Sequence, residues 1–215
     1  MKEKASEWVS ISDLMAGVMA VVMLLLVMSV LQKTYADLKH QQELAQGGAA
    51  QQQRIASMLT DLQKSVAEQG AEGLMSFNIN EGKITLKDSI FEKGSACITP
   101  LAASVFRSVD KKIADFLQSN PKAVIFVEGH TDSAPVGAPV TDYRRFCAVY
   151  DDNFILSAAR AREARNLIIG SLDQTQVKRV AVAGYGDSKL IEGIDPNDAR
   201  QRRVEIQFSA VTDDK

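Results

Sequence analysis

The sequence is poor in the residues from which most metal and cofactor sites are built. It has 2 cysteines, 2 histidines and 1 tryptophan in 215 residues, too few Cys and His for a zinc site of the usual spacing. No Walker or dinucleotide glycine pattern is present, and "AGYGDS" at 183–188 offers only a lone glycine pair after a strand. Lys and Arg number 25 against 27 Asp and Glu, for a net charge of −2, so no basic excess draws the chain to nucleic acid. No cofactor and no metal are expected, and no residue set suggests hydrolysis; the reading is of a protein that is not an enzyme.

What is present begins with "SISDLMAGVMAVVMLLLVMSVLQK" at 10–33. From Leu14 to Leu31 run 18 uncharged residues, which as a helix reach roughly 27 Å, close to the hydrocarbon thickness of a bilayer. One transmembrane helix is expected over 10–31, after a short cytoplasmic tail at 1–9. No small-residue cleavage site follows it, which favours an uncleaved anchor over a removed signal peptide. Asp13 at its front edge has two readings. It can be a helix cap among headgroups. Alternatively, Trp8 is an interfacial anchor that places Asp13 about 7 Å deeper, where an acid is functional by default and a candidate proton carrier. Lys2 and Lys4 against Glu3 and Glu7 give a weak positive-inside signal, blunted by Lys33 and Lys39 beyond the span.

Residues 32–73 change character, being rich in Gln, Ala, Glu and Lys, and divide at Gly47-Gly48. Ile55, Leu59, Leu62 and Val66, with Met58 beside them, make one apolar stripe at helical spacing. A helical linker and a short parallel coiled coil that joins two copies both fit it; Gly70 and Gly73 mark its end. Over 74–215 the pattern alternates. "MSFNINEGKITLKDSIF" predicts two strands around a turn at Glu81-Gly82, and a helix is expected from Pro100 to Leu117. "AVIFVEG" is expected as a buried strand, 153–170 as a second helix, and "VKRVAVAGYG" and "RRVEIQF" as further strands. The fold class is an α/β sandwich with one core.

"VEGHTD" at 127–132, "NFILSAARA" at 153–161, "VAGYGD" at 182–187 and "RRVEIQF" at 202–208 resemble, in order, the OmpA-like peptidoglycan-binding domain. The resemblance covers Phe77 to Phe208 and implies a β-α-β-α-β core that grips the diaminopimelate side chain of the cell wall. Asp132 would meet its ammonium and Arg160 its carboxylate. A zwitterionic amino-acid end asks for one fixed carboxylate and one guanidinium, so the chemistry agrees. Thr131, Asn153 and Leu156 share these motifs. Arg203 is expected to support the site, and Gln201 stands where the family usually has Asn. His130 is expected to be structural. Without the motifs, Thr131 and Asp132 would read as loop caps and Arg160 as a solvated helix residue.

One departure from the family is the stretch of 20 residues between Asp132 and Asn153, which contains Cys147. Cys97 lies between the opening hairpin and the first helix. If the hairpin's second strand runs parallel to 122–128, both connections leave the same edge of the sheet and a Cys97–Cys147 disulfide can form. Such a bond requires an oxidising compartment, as peptidoglycan does; both place the N-terminus in the cytoplasm and 74–215 in the periplasm.

A membrane helix with an acid, a helical linker and a wall-binding domain resemble a stator B subunit of the MotA-MotB type. That resemblance implies an inner-membrane location, a proton-driven role for Asp13, and a MotA-like or ZorA-like partner, five copies around two of this chain. "SDLMAGVMAVVMLLLVMSVL" lacks the aromatic neighbours and following Thr of the flagellar motif and is more similar to ZorB, the stator-like subunit of Zorya anti-phage systems. Cytoplasmic defence effectors would then act through the partner subunit. A flagellar stator and a passive wall tether are the alternatives.

Overall fold

In the computed structural model the described residues are 7–210, with side chains at 7–14, 36–38, 40–47 and 210 outside the described set. The chain divides into two compact units, Met1–Ala49 and Ala50–Lys215. The helix α1, Glu7–Glu68, contributes to both.

In the first unit, Met15–Tyr35 is a helical stretch of 21 residues with mean hydropathy 2.4 and no buried part. Its Val, Leu and Met side chains are all exposed, Leu25 at 64%. Length and composition suit a membrane span. The side chains of Trp8 and Asp13 lie outside the described residues.

The second unit holds a five-stranded sheet. Strands β1 (Met75–Asn78) and β2 (Lys83–Lys87) form the opening hairpin. Helix α2 (Pro100–Ser119) leads to β3 (Ala123–His130). The short α3 (Tyr143–Phe146) precedes α4 (Asn153–Ile168), and the one-turn α5 (Gln174–Val177) precedes β4 (Val180–Gly184) and β5 (Arg203–Ala210). The strand order is β1-β2-β5-β3-β4. β5 runs antiparallel to both β2 and β3, so those two share a direction, and β3 pairs with β4 in parallel.

Period-two alternation gives the sheet one covered face. Ile84, Leu86, Ile125, Val127, Val204, Ile206 and Phe208 are buried against Val105, Val109, Ile113 and Phe116 of α2 and Ala161, Ala164 and Ile168 of α4. The opposite face carries the exposed Phe126; "AVIFVEG", expected to be buried, is buried on one side only. Helix α2 starts as its sequence suggests, with Pro100 in the first turn and Thr99 Oγ1 accepting from the Ala102 amide. Helix α4 lies so close to the sheet that a Cβ at Gly129 would stand 2.0 Å from the Ser157 carbonyl oxygen. The small residues of "LSAARA" permit that approach.

The stripe Ile55, Leu59, Leu62 and Val66 finds its partner inside this unit. All four belong to the same core as the sheet, and Leu59 and Leu62 are fully buried. Gln52 donates to the carbonyl of Asn80 (3.0 Å), beside the hairpin turn. This corrects the reading of 55–66 as a free linker face or a coiled-coil seam: its apolar side chains are taken up by the domain. The division between units falls beside Gly47-Gly48 rather than at Gly70 to Gly73.

Candidate functional site: an alternating ion-pair chain

Four charged side chains from four parts of the fold converge at the end of β3. Asp132 follows β3, Arg160 projects from α4, Asp88 closes β2, and Arg202 precedes β5. Asp88 divides its carboxylate, Oδ1 accepting from Arg160 Nη1 (3.0 Å) and Oδ2 from Arg202 Nε (2.9 Å). Arg202 Nη1 then reaches Asp132 Oδ2 at 2.5 Å. The result is a chain of alternating sign, Arg160–Asp88–Arg202–Asp132, with no net charge.

Arg160 is 3% exposed. Its Nε donates to the Ser95 carbonyl (2.9 Å) and its guanidinium lies 5.1 Å from the centre of the Phe91 ring. Burial pulls its pKa below the usual arginine range, with the Asp88 carboxylate opposing that shift. For Arg202, burial also works against the charge, but the hydrogen bonds to Asp132 and Asp88 outweigh it and raise the pKa. Asp132 is 8% exposed.

The supporting residues hold the loop after β3. Asn153 Nδ2 donates to the carbonyls of Asp132 (3.2 Å) and Ala134 (2.9 Å). The Thr131 amide donates to the Gly186 carbonyl (2.8 Å), while its buried Oγ1 finds no partner among the described residues. Leu156 packs in a satellite cluster with Ala96, Ala148 and Tyr150, which gives the 20-residue insertion a small core of its own. Cys97 and Cys147 are disulfide-bonded, their Cα atoms 5.0 Å apart. Ser95 Oγ and the Ala96 amide both donate to the Phe146 carbonyl (3.0 Å each), and the Tyr150 hydroxyl donates to Gly94. The insertion thus fixes the segment whose Ser95 carbonyl holds Arg160.

Arg203 is not brought to this cluster. Adjacent residues of an extended segment face opposite ways, and its guanidinium points to the open face, onto Glu205 (2.6 Å) and the carbonyls of Gln201 and Lys189. Arg202 takes the place expected of Arg203. The signal was available: Arg202 shares the parity of buried Val204, Ile206 and Phe208. Asp88 was also missed, and "KDSIF" carries no local mark that would single it out. Gln201 is fully buried, and its side chain bonds the backbone of Ile191, Ile194 and Asp195, so it moulds the preceding loop.

On the open face His130 is 2% exposed, stacked on Tyr185 with centroids 5.6 Å apart, and neither ring nitrogen finds a partner among the described residues. Burial, with the Arg203 guanidinium, pushes its pKa down from 6.5 to about 4. Glu128, His130 and Glu205 hold their potential donor atoms within 4.8 Å of one another. Lys83 (3.1 Å) and Arg203 (2.6 Å) already occupy the two oxygens of Glu205, so the cluster reads as an ion-pair network rather than a cation site.

Comparison with known proteins identifies the family and the fold. The OmpA family model matches residues 90–203, more than half of the chain. Motility protein B of Bacillus subtilis is 29% identical over 167 residues, covering 74% of this chain and 57% of that protein. The chain therefore spans a little over half the length of the curated relative it matches. Among solved structures, a MotB-like protein from Desulfovibrio vulgaris superposes with a TM-score of 0.56 at 20% identity, covering 76% of this chain and 99% of that one; at that identity the likeness speaks for the fold alone. The periplasmic domain of Helicobacter pylori MotB matches with a TM-score of 0.45 at 22% identity, covering 61% of this chain and 75% of that one.

Proposed function

The chain belongs to the OmpA family, and on that premise we propose that 74–215 binds peptidoglycan through the zwitterionic end of diaminopimelate, with Asp132 and Arg160 as its two poles. The observation that carries this reading is the convergence of those two residues, from separate elements, on one ion-pair chain. A carboxylate and a guanidinium there can form charge-assisted contacts to an ammonium and a carboxylate, each worth about 1.5 to 3 kcal/mol. Thr131 and Asn153 fix the loop that carries Asp132, and Leu156 packs beside the segment whose Ser95 carbonyl holds Arg160.

The likeness to Motility protein B supports a wider reading. The chain acts as the B subunit of an ion-driven stator in the inner membrane, with 1–9 cytoplasmic, 10–31 as the span and the wall domain periplasmic. Asp13 carries the proton, and a MotA-like subunit surrounds a pair of these chains. Each proton falling through 100 mV delivers about 2.3 kcal/mol, enough to bias a step of rotation. The lack of aromatic neighbours around Asp13 favours a ZorB-like defence role. The similarity to a motility protein favours a flagellar stator as the second reading, and partner genes separate the two.

The wall assignment is tested by sedimenting the full chain, in detergent, with diaminopimelate-type sacculi. Asp132→Ala is expected to abolish co-sedimentation while the fold persists. Arg160→Ala abolishes it too but also lowers stability, because Asp88 and the Ser95 carbonyl lose a buried partner. Undiminished binding by Asp132→Ala would end the assignment.

A further inference from the structure

The two residues assigned to the ligand are already occupied. Asp132 holds a cation, the guanidinium of Arg202, and Arg160 holds a carboxylate, that of Asp88. Asp88 and Arg202 are bonded to each other as well (2.9 Å), and both are about one-third exposed while Arg160 is buried. We propose that Asp88 and Arg202 are internal surrogates for the two charges of the ligand, which therefore binds by exchange, and that they are the residues that select a zwitterion. This rests on the wall-binding reading.

The pairing balances. Before binding there are three ion pairs: Arg160 with Asp88, Asp88 with Arg202, and Arg202 with Asp132. After exchange there are again three: Arg160 with the ligand carboxylate, the ligand ammonium with Asp132, and Asp88 with Arg202, displaced together toward solvent. The cluster is neutral in both states only if the incoming group carries one charge of each sign. A carboxylate alone leaves the partly buried cluster at net −1 and an amine alone leaves it at net +1, and an uncompensated charge there is costly. Selection for the amino-acid end thus comes from the sum of the charges as well as from their placement.

Removing one surrogate should change the preference in a crossed manner. Asp88→Asn leaves Arg160, Arg202 and Asp132, a cluster of net +1 that accepts a carboxylate at Arg160. Arg202→Gln leaves Arg160, Asp88 and Asp132, of net −1, which accepts an ammonium at Asp132. The probes are free diaminopimelate and two relatives: pimelate, the same carbon chain without the amines, and 1,5-diaminopentane, which keeps the two amines and their spacing but lacks both carboxylates. Calorimetric titration of the full chain in detergent, disulfide intact, measures each.

The wild-type chain is expected to bind diaminopimelate and neither relative. Asp88→Asn should gain pimelate at least tenfold and Arg202→Gln should gain 1,5-diaminopentane by a similar factor. The two variants test opposite poles, so either carries the result if the other folds poorly. Wild-type binding of diaminopimelate with no crossed gain overturns the exchange and leaves the wall reading standing. A wild-type chain that binds neither diaminopimelate nor sacculi overturns both.

Discussion

Helix α1 carries two apolar stretches with opposite fates. Met15–Tyr35 is apolar all round and exposed all round. Ile55, Leu59, Leu62 and Val66 are apolar on one side only and lie in a protein core. Residues of one type, leucine above all, thus serve two solvents: an unbroken apolar surface suits lipid, and a stripe at helical spacing suits a packed face. Periodicity, more than the count of apolar residues, tells them apart.

Truncating one leucine in each stretch separates the two environments most clearly. Leu59→Ala should destabilise 50–215 by about 2–5 kcal/mol, the range for a buried leucine, whereas Leu25→Ala should leave its melting temperature unchanged. Equal effects in calorimetric melts of the full chain would show that the stripe is not core. It follows that a fragment starting at 75 lacks part of the core and is a poor vehicle for binding studies. The disulfide comes next in size. It closes a loop with a sequence separation of 50, worth about 4 kcal/mol in the chain-entropy model. Cys97→Ser should lower the melting temperature of that unit and weaken sacculus binding, because Ser95 loses its fixed setting; the apolar span should not respond.

The smallest expected effect is a pH dependence confined to the sheet-bearing unit. His130 is neutral in the fold, with a pKa of about 4, and titrates near 6.5 when unfolded. The unfolded chain therefore binds the extra proton, and stability present above about pH 6.5 is lost as the pH falls toward 4, by about 3 kcal/mol in all. His130→Gln should flatten the slope between pH 7 and 4 in stability measurements. An unaltered slope would assign it to the carboxylates instead.

Much of the sheet-bearing unit was legible in the sequence because its signals are local. Alternation marked the strands, Thr99-Pro100 marked the start of α2, and a topological argument joined Cys97 to Cys147. Motif context singled out Asp132 and Arg160, which the structure brings into one ion-pair chain. What could not be read depends on register between distant segments. Asp88 and Arg202 meet across 114 positions, because β2 and β5 pair with Lys87 opposite Arg203, and no spacing rule reports that. Arg203 was chosen over Arg202 by motif, where strand parity pointed the other way. The partner of the Ile55–Val66 stripe was hidden for the same reason, since an amphipathic helix announces that it needs a surface but not which one.

If the membrane acid and the wall anchor work as parts of one motor, Asp13→Asn uncouples them. The variant keeps size and hydrogen bonding but cannot ionise. In cells carrying the MotA-like partner, sacculus binding and biological activity, scored as phage protection and as motility, are measured together. Normal assembly and wall binding with all activity lost are expected, and a remnant of activity in Asp13→Glu. Full activity of Asp13→Asn in both assays would contradict it and leave a helix cap on a passive tether.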